Sequence, residues 1–372
     1  MKQNEVSLAR GALLEALQAA GSAVAVRPTL QVLGSLLLEA VEERQILRVT
    51  GTDLEMALQM DARAAVGASW GAVVPAREFT AWVKALDEGV VTLRLDEERQ
   101  RLQCYSGPST GSFAVMAAEE FPPVPFEMPP QAIVLEAGLF RRVARDVAVA
   151  AETDGARPGL AGVVLAGQGD GLEAAASDGY RLAVLALGEA KMPSAPVVIP
   201  AEVWRKASPY VGSETVTVGW NDRYAIFALD EHVRMMSMLI GVEYPPYRQI
   251  VPERFGVVGR IQKRLLLAAL RQATVFAPGS GAVRLDFTAT GLEISAHSAE
   301  LGEGQAAVPM ALEGEPLTIG MNVNFLYDAV RSVESETVVL QGNAPQLPWM
   351  VSGAGDDAFF HIIMPMSYEE RA

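Results

Sequence analysis

One segment returns three times along this chain and sets the scale of anything it can fold into. Val73-Val74-Pro75-Ala76-Arg77-Glu78-Phe79 reappears as Val198-Ile199-Pro200-Ala201-Glu202-Val203-Trp204. It comes back, less sharply, as Thr318-Ile319-Gly320-Met321-Asn322-Val323-Asn324-Phe325. Pro75 and Pro200 lie 125 residues apart, and Pro200 and Met321 lie 121 apart. Such spacings are domain-sized, well beyond the roughly 20–50 residues of a solenoid repeat. Thr52-Asp53 recurs as Ser177-Asp178 at the same 125-residue interval, and Phe121-Pro122-Pro123 is echoed by Tyr244-Pro245-Pro246. A chain of 372 residues therefore divides into three domains. The Pro-rich stretches Phe121–Pro130 and Tyr244–Pro252 are natural linkers, giving boundaries at 1–127, 128–253 and 254–372.

Every repeat presents its elements in one order. An amphipathic helix is expected first, over Val6–Gln18, Leu139–Ala151 and Ile261–Ala277, where apolar residues recur at helical spacing. Two strands follow: Gly34–Val41 with Ile46–Val49, Gly162–Leu165 with Leu172–Ala176, and Val283–Phe287 with Leu292–Ser295. The second pair turns through Gln168-Gly169-Asp170-Gly171 and the third through Thr290-Gly291. The Val-Pro-Ala segment then opens a second helix, with Pro75 and Pro200 expected as its first residue, where the missing N–H costs nothing. Further strands close each repeat. Two helices on antiparallel strands make an α+β domain, repeated three times in tandem.

Composition narrows the function classes. Half the residues are hydrophobic and a fifth are charged, as in an ordinary globular protein. The N-terminus lacks the apolar core of a signal peptide, and the apolar run around Leu30–Val41 is interrupted by Gln31 and Glu39 and is too short to span a bilayer. A cytoplasmic protein with no membrane partner is expected. A single cysteine, Cys104, excludes an intrachain disulfide and a cysteine-rich metal site, and it suits a strand interior. His232, His297 and His361 have no metal-ligand spacing. No Gly-rich phosphate loop precedes a helix, and Gly167–Gly171 is too polar for a dinucleotide fingerprint. No catalytic residue, metal or cofactor is expected.

The net charge of −15 argues at first against nucleic acid, but its distribution is uneven. The expected helices with their flanking residues (6–18, 76–87, 138–152, 201–211, 259–272 and 321–332) carry 13 positive and 7 negative residues, which leaves −21 for the rest of the chain. Residues 259–272 alone hold Arg260, Lys263, Arg264 and Arg271 with no acid. Helices favour glutamate as much as lysine and arginine, so the asymmetry points to an electropositive helical face on an acidic body.

Six collinear segments resemble a known family. They are Arg27-Pro28-Thr29-Leu30 through Leu38, Thr50–Met56, Val74–Arg77, Ser177-Asp178-Gly179-Tyr180-Arg181-Leu182-Ala183-Val184, Tyr244-Pro245-Pro246-Tyr247-Arg248, and Met364-Pro365-Met366. Together they are similar to the bacterial sliding clamp, the β subunit of DNA polymerase III. The resemblance implies three clamp-type domains per chain and a head-to-tail homodimer closing into a ring lined by twelve helices. Helices about 9 Å apart would lie on a circle of roughly 34 Å, leaving a hole of roughly 25 Å, wide enough for duplex DNA. Such a ring holds DNA topologically, and modest positive charge lets it slide.

The resemblance also implies sites. A hydrophobic pocket for short linear peptides would be built from Arg157, Leu160, Ser177, Gly179, Tyr180, Arg181, Leu182, Pro245, Ile250, Ile362, Ile363, Met364, Pro365 and Met366. Its partners would be the DNA polymerase III catalytic subunit, the clamp-loader complex, and other polymerases and repair proteins. Methionine and proline suit a surface that repacks around many ligands. Arg27 and Arg77 match positions that contact double-stranded DNA without reading its sequence. Phe113 and Thr274-Val275-Phe276 match positions at the subunit interface. The chain departs from the family pattern at Tyr180, where histidine is common, at Asp154, Pro158 and Gly159 in a loop, and in the tail Ser367–Ala372. Two competing readings use the same residues. One is an acidic cytoplasmic enzyme with a site near Asp178 and Arg181 at a domain interface, or more plainly a turn held by an Asp side chain. The other is a protein-binding scaffold without DNA.

Overall fold

The computed structural model describes residues 4–169, 171–189, 195–279 and 281–368. Asp170 of the second-repeat turn and residues 369–372 of the tail lie outside the described residues. The chain gathers into two compact units, Met1–Gly138 with Lys206–Leu239, and Leu139–Arg205 with Ile240–Ala372. The middle repeat is therefore shared between them.

Six α-helices occur among the described residues: α1 (Arg10–Gly21), α2 (Ala76–Lys84), α3 (Ala137–Arg142), α4 (Ala201–Ala207), α5 (Lys263–Val275) and α6 (Val323–Ser332). Their number and order match the expectation of two per repeat. Their starts differ from it. Val6 and Leu8 lie in a strand, Glu5–Ala9, where Val6 pairs with Leu93 and alternate side chains are buried. Their spacing of two satisfies a strand as well as a helix, and pairing decides between them. Likewise Ile261 ends the strand Val257–Gln262, and α5 begins at Lys263. All six helices follow directly from a strand.

Pro75 is also displaced by one position. It is the last residue of the strand Trp70–Pro75 and the N-cap of α2 rather than its first helical residue, with φ −59°. In the third repeat Asn322 takes this place, and its Oδ1 accepts hydrogen bonds from the N–H groups of Asn324 and Phe325. A side-chain cap is thus present at α6, whereas Pro75 makes none at α2. The helix expected over Leu139–Ala151 breaks up. After Arg142 it widens into a π turn at Val143–Val147 and tightens to a 3₁₀ turn at Ala148–Ala150. Asp146 is buried in that turn, paired with Arg145 at 2.6 Å.

All strand pairs are antiparallel, and one topology occurs in both units. In the first, the sheet runs Met116–Ala117, Trp70–Pro75, Ser35–Val41, Ile46–Thr52, Met56–Arg63, Val233–Met238, Tyr224–Ala228, Thr215–Trp220, Gln131–Glu136. In the second, it runs Val197–Pro200, Gly162–Gln168, Gly171–Ser177, Arg181–Gly188, Phe359–Ile363, Trp349–Gly353, Thr337–Gly342, Val257–Gln262, Met310–Glu313. In each nine-stranded sheet, one repeat supplies one side and the next repeat supplies the other. The seams are Leu58↔Met235 and Leu182↔Ile362. A five-stranded sheet completes the first unit and a four-stranded sheet the second.

The cores lie between helices and sheets. In the first unit Leu13 and Leu17 of α1 and Phe79 and Val83 of α2 pack with Leu36, Leu38, Leu47, Val49, Leu93 and Cys104. In the second, Leu266 and Leu270 of α5 and Leu326 and Val330 of α6 pack with Phe287, Leu292 and Trp349. Each such side chain contributes about 1.5–3 kcal/mol on burial. Gly51 lets α1 lie close on its sheet, since a Cβ there would sit 2.1 Å from the Ala20 carbonyl oxygen. Cys104 occupies the expected strand interior, and burial pushes its thiol up to about 12. No described helix is long and apolar enough to cross a membrane.

Candidate functional site

The residues expected to form a peptide pocket all lie in the second unit, several of them on the turn that joins Gly171–Ser177 to Arg181–Gly188. Asp178 Oδ1 accepts hydrogen bonds from the N–H groups of Tyr180 (2.8 Å) and Arg181 (2.9 Å). Ser177 Oγ donates to the Arg181 carbonyl at 2.7 Å and accepts from the Gly179 N–H at 3.0 Å. Gly179 has φ +89°, and a Cβ there would meet Arg157 at 1.8 Å, so glycine is required twice over. Arg157 donates to the Asp178 carbonyl at 2.8 Å, and its guanidinium lies 5.4 Å from the centre of the exposed Tyr180 ring.

Arg181 points away from this surface. Its guanidinium bonds Asp178 at 3.1 Å, Asp328 of α6 at 2.9 Å and the Val149 carbonyl at 2.7 Å, over the Phe325 ring. Its side chain is only 11% exposed. The Asp178–Arg181 pair is thus used to build the turn and tie it to α6, which accounts for the residues that an enzyme reading would have drawn on.

The apolar ground of the site is a cluster of Val164, Ala175, Leu182, Val184, Val198, Tyr244 and Ile362, with Leu160, Ile240, Tyr247, Val251, Met350 and Phe360 packed against it. Leu182 and Ile362 face each other across the seam. Ile250 and Met364 are exposed, and Pro365 and Met366 are half-buried. The Met364 N–H donates to the Tyr180 carbonyl (2.8 Å), and the Met366 N–H to the Gly320 carbonyl (3.0 Å). Pro245 is exposed, and its carbonyl accepts from the Tyr247 N–H at 2.7 Å.

Ile363 belongs elsewhere. Neighbouring strand residues face opposite ways, so Ile363 enters the core with Leu326 and Trp349 while Ile362 faces the cluster. The sequence reading missed Glu173, Tyr247, Arg248, Met350 and Phe360. Glu173 left a usable signal: it is the lone charge in the apolar run Leu172–Ala176, and a buried carboxylate needs donors.

In the first unit Arg27 is exposed in the loop after α1, and Arg77 is exposed in the first turn of α2. Arg77 lines a groove with Gln18, Val26, Pro28 and Lys84. Much of the helical positive charge is used inside the chain. Arg10 bonds Glu88 and the Lys84 carbonyl, Arg205 the Ala148 carbonyl, Lys263 the Arg331 and Val333 carbonyls, and Arg271 the Tyr327 hydroxyl. Among the described α-helical residues the exposed cations are Arg77, Lys84, Arg141, Arg205, Arg264, Arg271 and Arg331.

Phe113 lies in the strand Ser109–Ala114 at the edge of the five-stranded sheet, its ring edge-on to Phe79 at 5.2 Å and to Trp82 at 5.8 Å. Val275 is exposed at the end of α5, and the Thr274 hydroxyl donates to the Leu270 carbonyl. Phe276 packs over Gly304, in the edge strand Gly302–Val308 of the four-stranded sheet. No group of three or more potential ligands for a metal occurs among the described residues.

Comparison with known proteins gives one family along the chain. Residues 4–125 match the DNA polymerase III beta subunit N-terminal domain, 134–246 its central domain and 248–367 its C-terminal domain. A beta sliding clamp of Synechococcus elongatus is 30% identical, with 92% of this chain and 94% of that protein covered. One from Synechocystis sp. is 28% identical with the same coverage. The crystal structure of a DNA polymerase sliding clamp from Bacillus subtilis superposes with a TM-score of 0.90 at 22% identity, over 98% of this chain and 99% of that one.

Proposed function

The chain belongs to the DNA polymerase III beta subunit family, and on that premise we propose that it is a sliding clamp, a non-catalytic ring that encircles duplex DNA and tethers the replicative polymerase. The observation that carries this reading is the ordered presence of all three family domains on a chain with its own domain-length repeats. We place the three domains at 1–127, 128–253 and 254–372, a division supported by the order of the three family spans along the chain.

Two copies close the ring head to tail. Ser109–Ala114 and Gly302–Val308 are terminal strands of their sheets, and each offers unpaired backbone groups along one side among the described residues. Phe113 and Thr274-Val275-Phe276 lie beside those edges and would pack across the join. Inside the ring, Arg27 and Arg77 contact phosphates, a reading supported by their exposure. A ring held by topology needs few such contacts, and few contacts leave it free to slide.

Partners dock on the apolar cluster of the second unit. Leu182 and Ile362 form its floor, Leu160 and Ile250 its sides, and Met364 and Tyr180 its rim. The DNA polymerase III catalytic subunit, the clamp loader and other polymerases and repair proteins share this pocket through short peptides. A replication role sets the place of action in the cytoplasm.

Loading onto a nicked DNA circle tests the reading. The protein should stay bound at moderate salt and be lost when the circle is linearised. Equal retention on linear and circular DNA would mean an ordinary DNA-binding protein.

A further inference from the structure

Glu173 sits in the middle of the strand Gly171–Ser177, which contributes Ala175 to the pocket floor, and it is only 3% exposed. A carboxylate withdrawn from water to that extent is costly unless donors fill its oxygens. Tyr247 Oη donates at 2.6 Å and Arg248 Nε at 2.9 Å, and a second Arg248 nitrogen also donates to the carboxylate. The Tyr247 hydroxyl is protonated at neutral pH in any case, and burial pushes it further up, to about 12. The Arg248 guanidinium meanwhile lies 5.7 Å from the centre of the Phe360 ring. Tyr247 and Arg248 begin the 3₁₀ turn Tyr247–Ile250, which carries Ile250 and leads into Val251 on the apolar cluster. One buried carboxylate therefore fastens a wall of the pocket to its floor.

The equivalent face of the first unit provides the contrast. Leu37↔Thr50 and Thr50↔Gln59 there correspond to Val164↔Ala175 and Ala175↔Val184 here, so Arg48 stands where Glu173 stands. Arg48 bonds Asp61 on the next strand at 2.8 Å and, although it lines a groove with Val124 and Phe126, makes no hydrogen bond to the linker among the described residues. The linker instead lays Val124 and Phe126 on Ala57, Ile226 and Met236. Ala57 and Met236 form the register pair that matches Leu182 and Ile362. Both linkers thus pack on an apolar seam; the first also bonds Arg234 through the Phe126 carbonyl at 3.3 Å, whereas the second fills a buried carboxylate, Glu173, with two of its side chains.

We propose that Glu173 is a positioning residue of the partner pocket: by holding Tyr247 and Arg248 it fixes the Ile250 wall, and so sets the affinity for a short peptide with an apolar anchor without touching that peptide. This rests on the pocket reading given above.

The test uses the full-length protein and a fluorescent synthetic peptide copied from the clamp-binding segment of the DNA polymerase III catalytic subunit. Affinity is measured by anisotropy at a temperature where melting curves show every variant folded. Glu173→Ala should weaken binding about tenfold, through faster dissociation. Amide exchange at Arg248–Val251 should accelerate in the same variant. Glu173→Gln keeps an acceptor for Tyr247 and should retain most of the affinity. Arg48→Ala, at the matching position of the first unit, should leave peptide binding unchanged. Met364→Ala probes the pocket directly. If it weakens binding while Glu173→Ala stays within about twofold of the parent, the positioning role is overturned and the pocket stands. Unchanged exchange at Arg248–Val251 also overturns the role, and a matching loss in Arg48→Ala would reduce it to general stability. Peptide binding indifferent to Met364→Ala would overturn the pocket itself, and this proposal with it.

Discussion

Arg181 and Asp328, brought from the second and third repeats and separated by 147 residues, meet at 2.9 Å beside the partner pocket. The same guanidinium bonds Asp178, so a single side chain ties the turn bearing Gly179 and Tyr180 to helix α6. Asp328→Ala should lower the stability of the protein by about 1–3 kcal/mol, because Arg181 loses a charged acceptor in a largely dry setting. Urea unfolding measures this, and an unchanged midpoint would show that Asp178 and the Val149 carbonyl suffice.

Acid should weaken the fold through His361. Burial, helped by the charge of Arg181, brings this imidazole down to about 3, and both ring nitrogens lack a hydrogen-bond partner. The unfolded chain takes up the proton near pH 6.5, whereas the folded chain resists until about pH 3. Stability from the neutral ring is therefore complete above pH 6.5 and is lost as pH falls from there toward 3, at about 1.4 kcal/mol per pH unit. Urea midpoints at pH 7, 6 and 5 should fall in that order, and His361→Leu should flatten the trend.

Met364 is the cleaner probe of partner binding, because it is 36% exposed whereas Leu182 is fully buried. Met364→Ala should weaken a polymerase-derived peptide roughly tenfold with little change in melting temperature. Leu182→Ala should weaken the peptide as well, but it should also cost about 2–5 kcal/mol of stability from the cavity it leaves. Light scattering should find the dimer intact in both, since neither residue belongs to the edge strands. A chain that is monomeric at micromolar concentration before any substitution would remove the ring from the account.

Arg27 and Arg77 should act on DNA alone. The double substitution to alanine should weaken duplex binding and lower the steepness of its salt dependence by about two, roughly one for each phosphate left without its cation. Peptide affinity should not move. A salt slope equal to that of the parent would mean that neither side chain reaches a phosphate.

The repeats and their helices were legible in the sequence because they depend on local pattern. The motif around Pro75, Pro200 and Met321 marks three strand-to-helix junctions, and the Asp178 turn is written in consecutive residues. What could not be read depends on partners distant in sequence. Val6 and Leu8 fit either period until Val90–Asp96 pairs with them. Glu173 meets its donors 74 and 75 residues later, so no local pattern marks it as part of the site. Ile362 and Ile363 read as parts of one motif, although strand geometry turns the two to opposite faces. Arg181 reads as a surface group, and its inward turn is set by Asp328, far along the chain.

The sharing of each nine-stranded sheet between successive repeats has a consequence during synthesis. Met56–Arg63 finds its outer neighbour only when Val233–Met238 has been made. Ribosomes add about 5–20 residues per second, so this strand spends roughly ten to thirty seconds on the nascent chain with one side open. Arg181–Gly188 then waits in the same way for Phe359–Ile363. Each interval exposes a template for unwanted strand pairing. A message stopped at the first linker would leave that edge open for good, and the released fragment should be a client for chaperones rather than a small soluble domain.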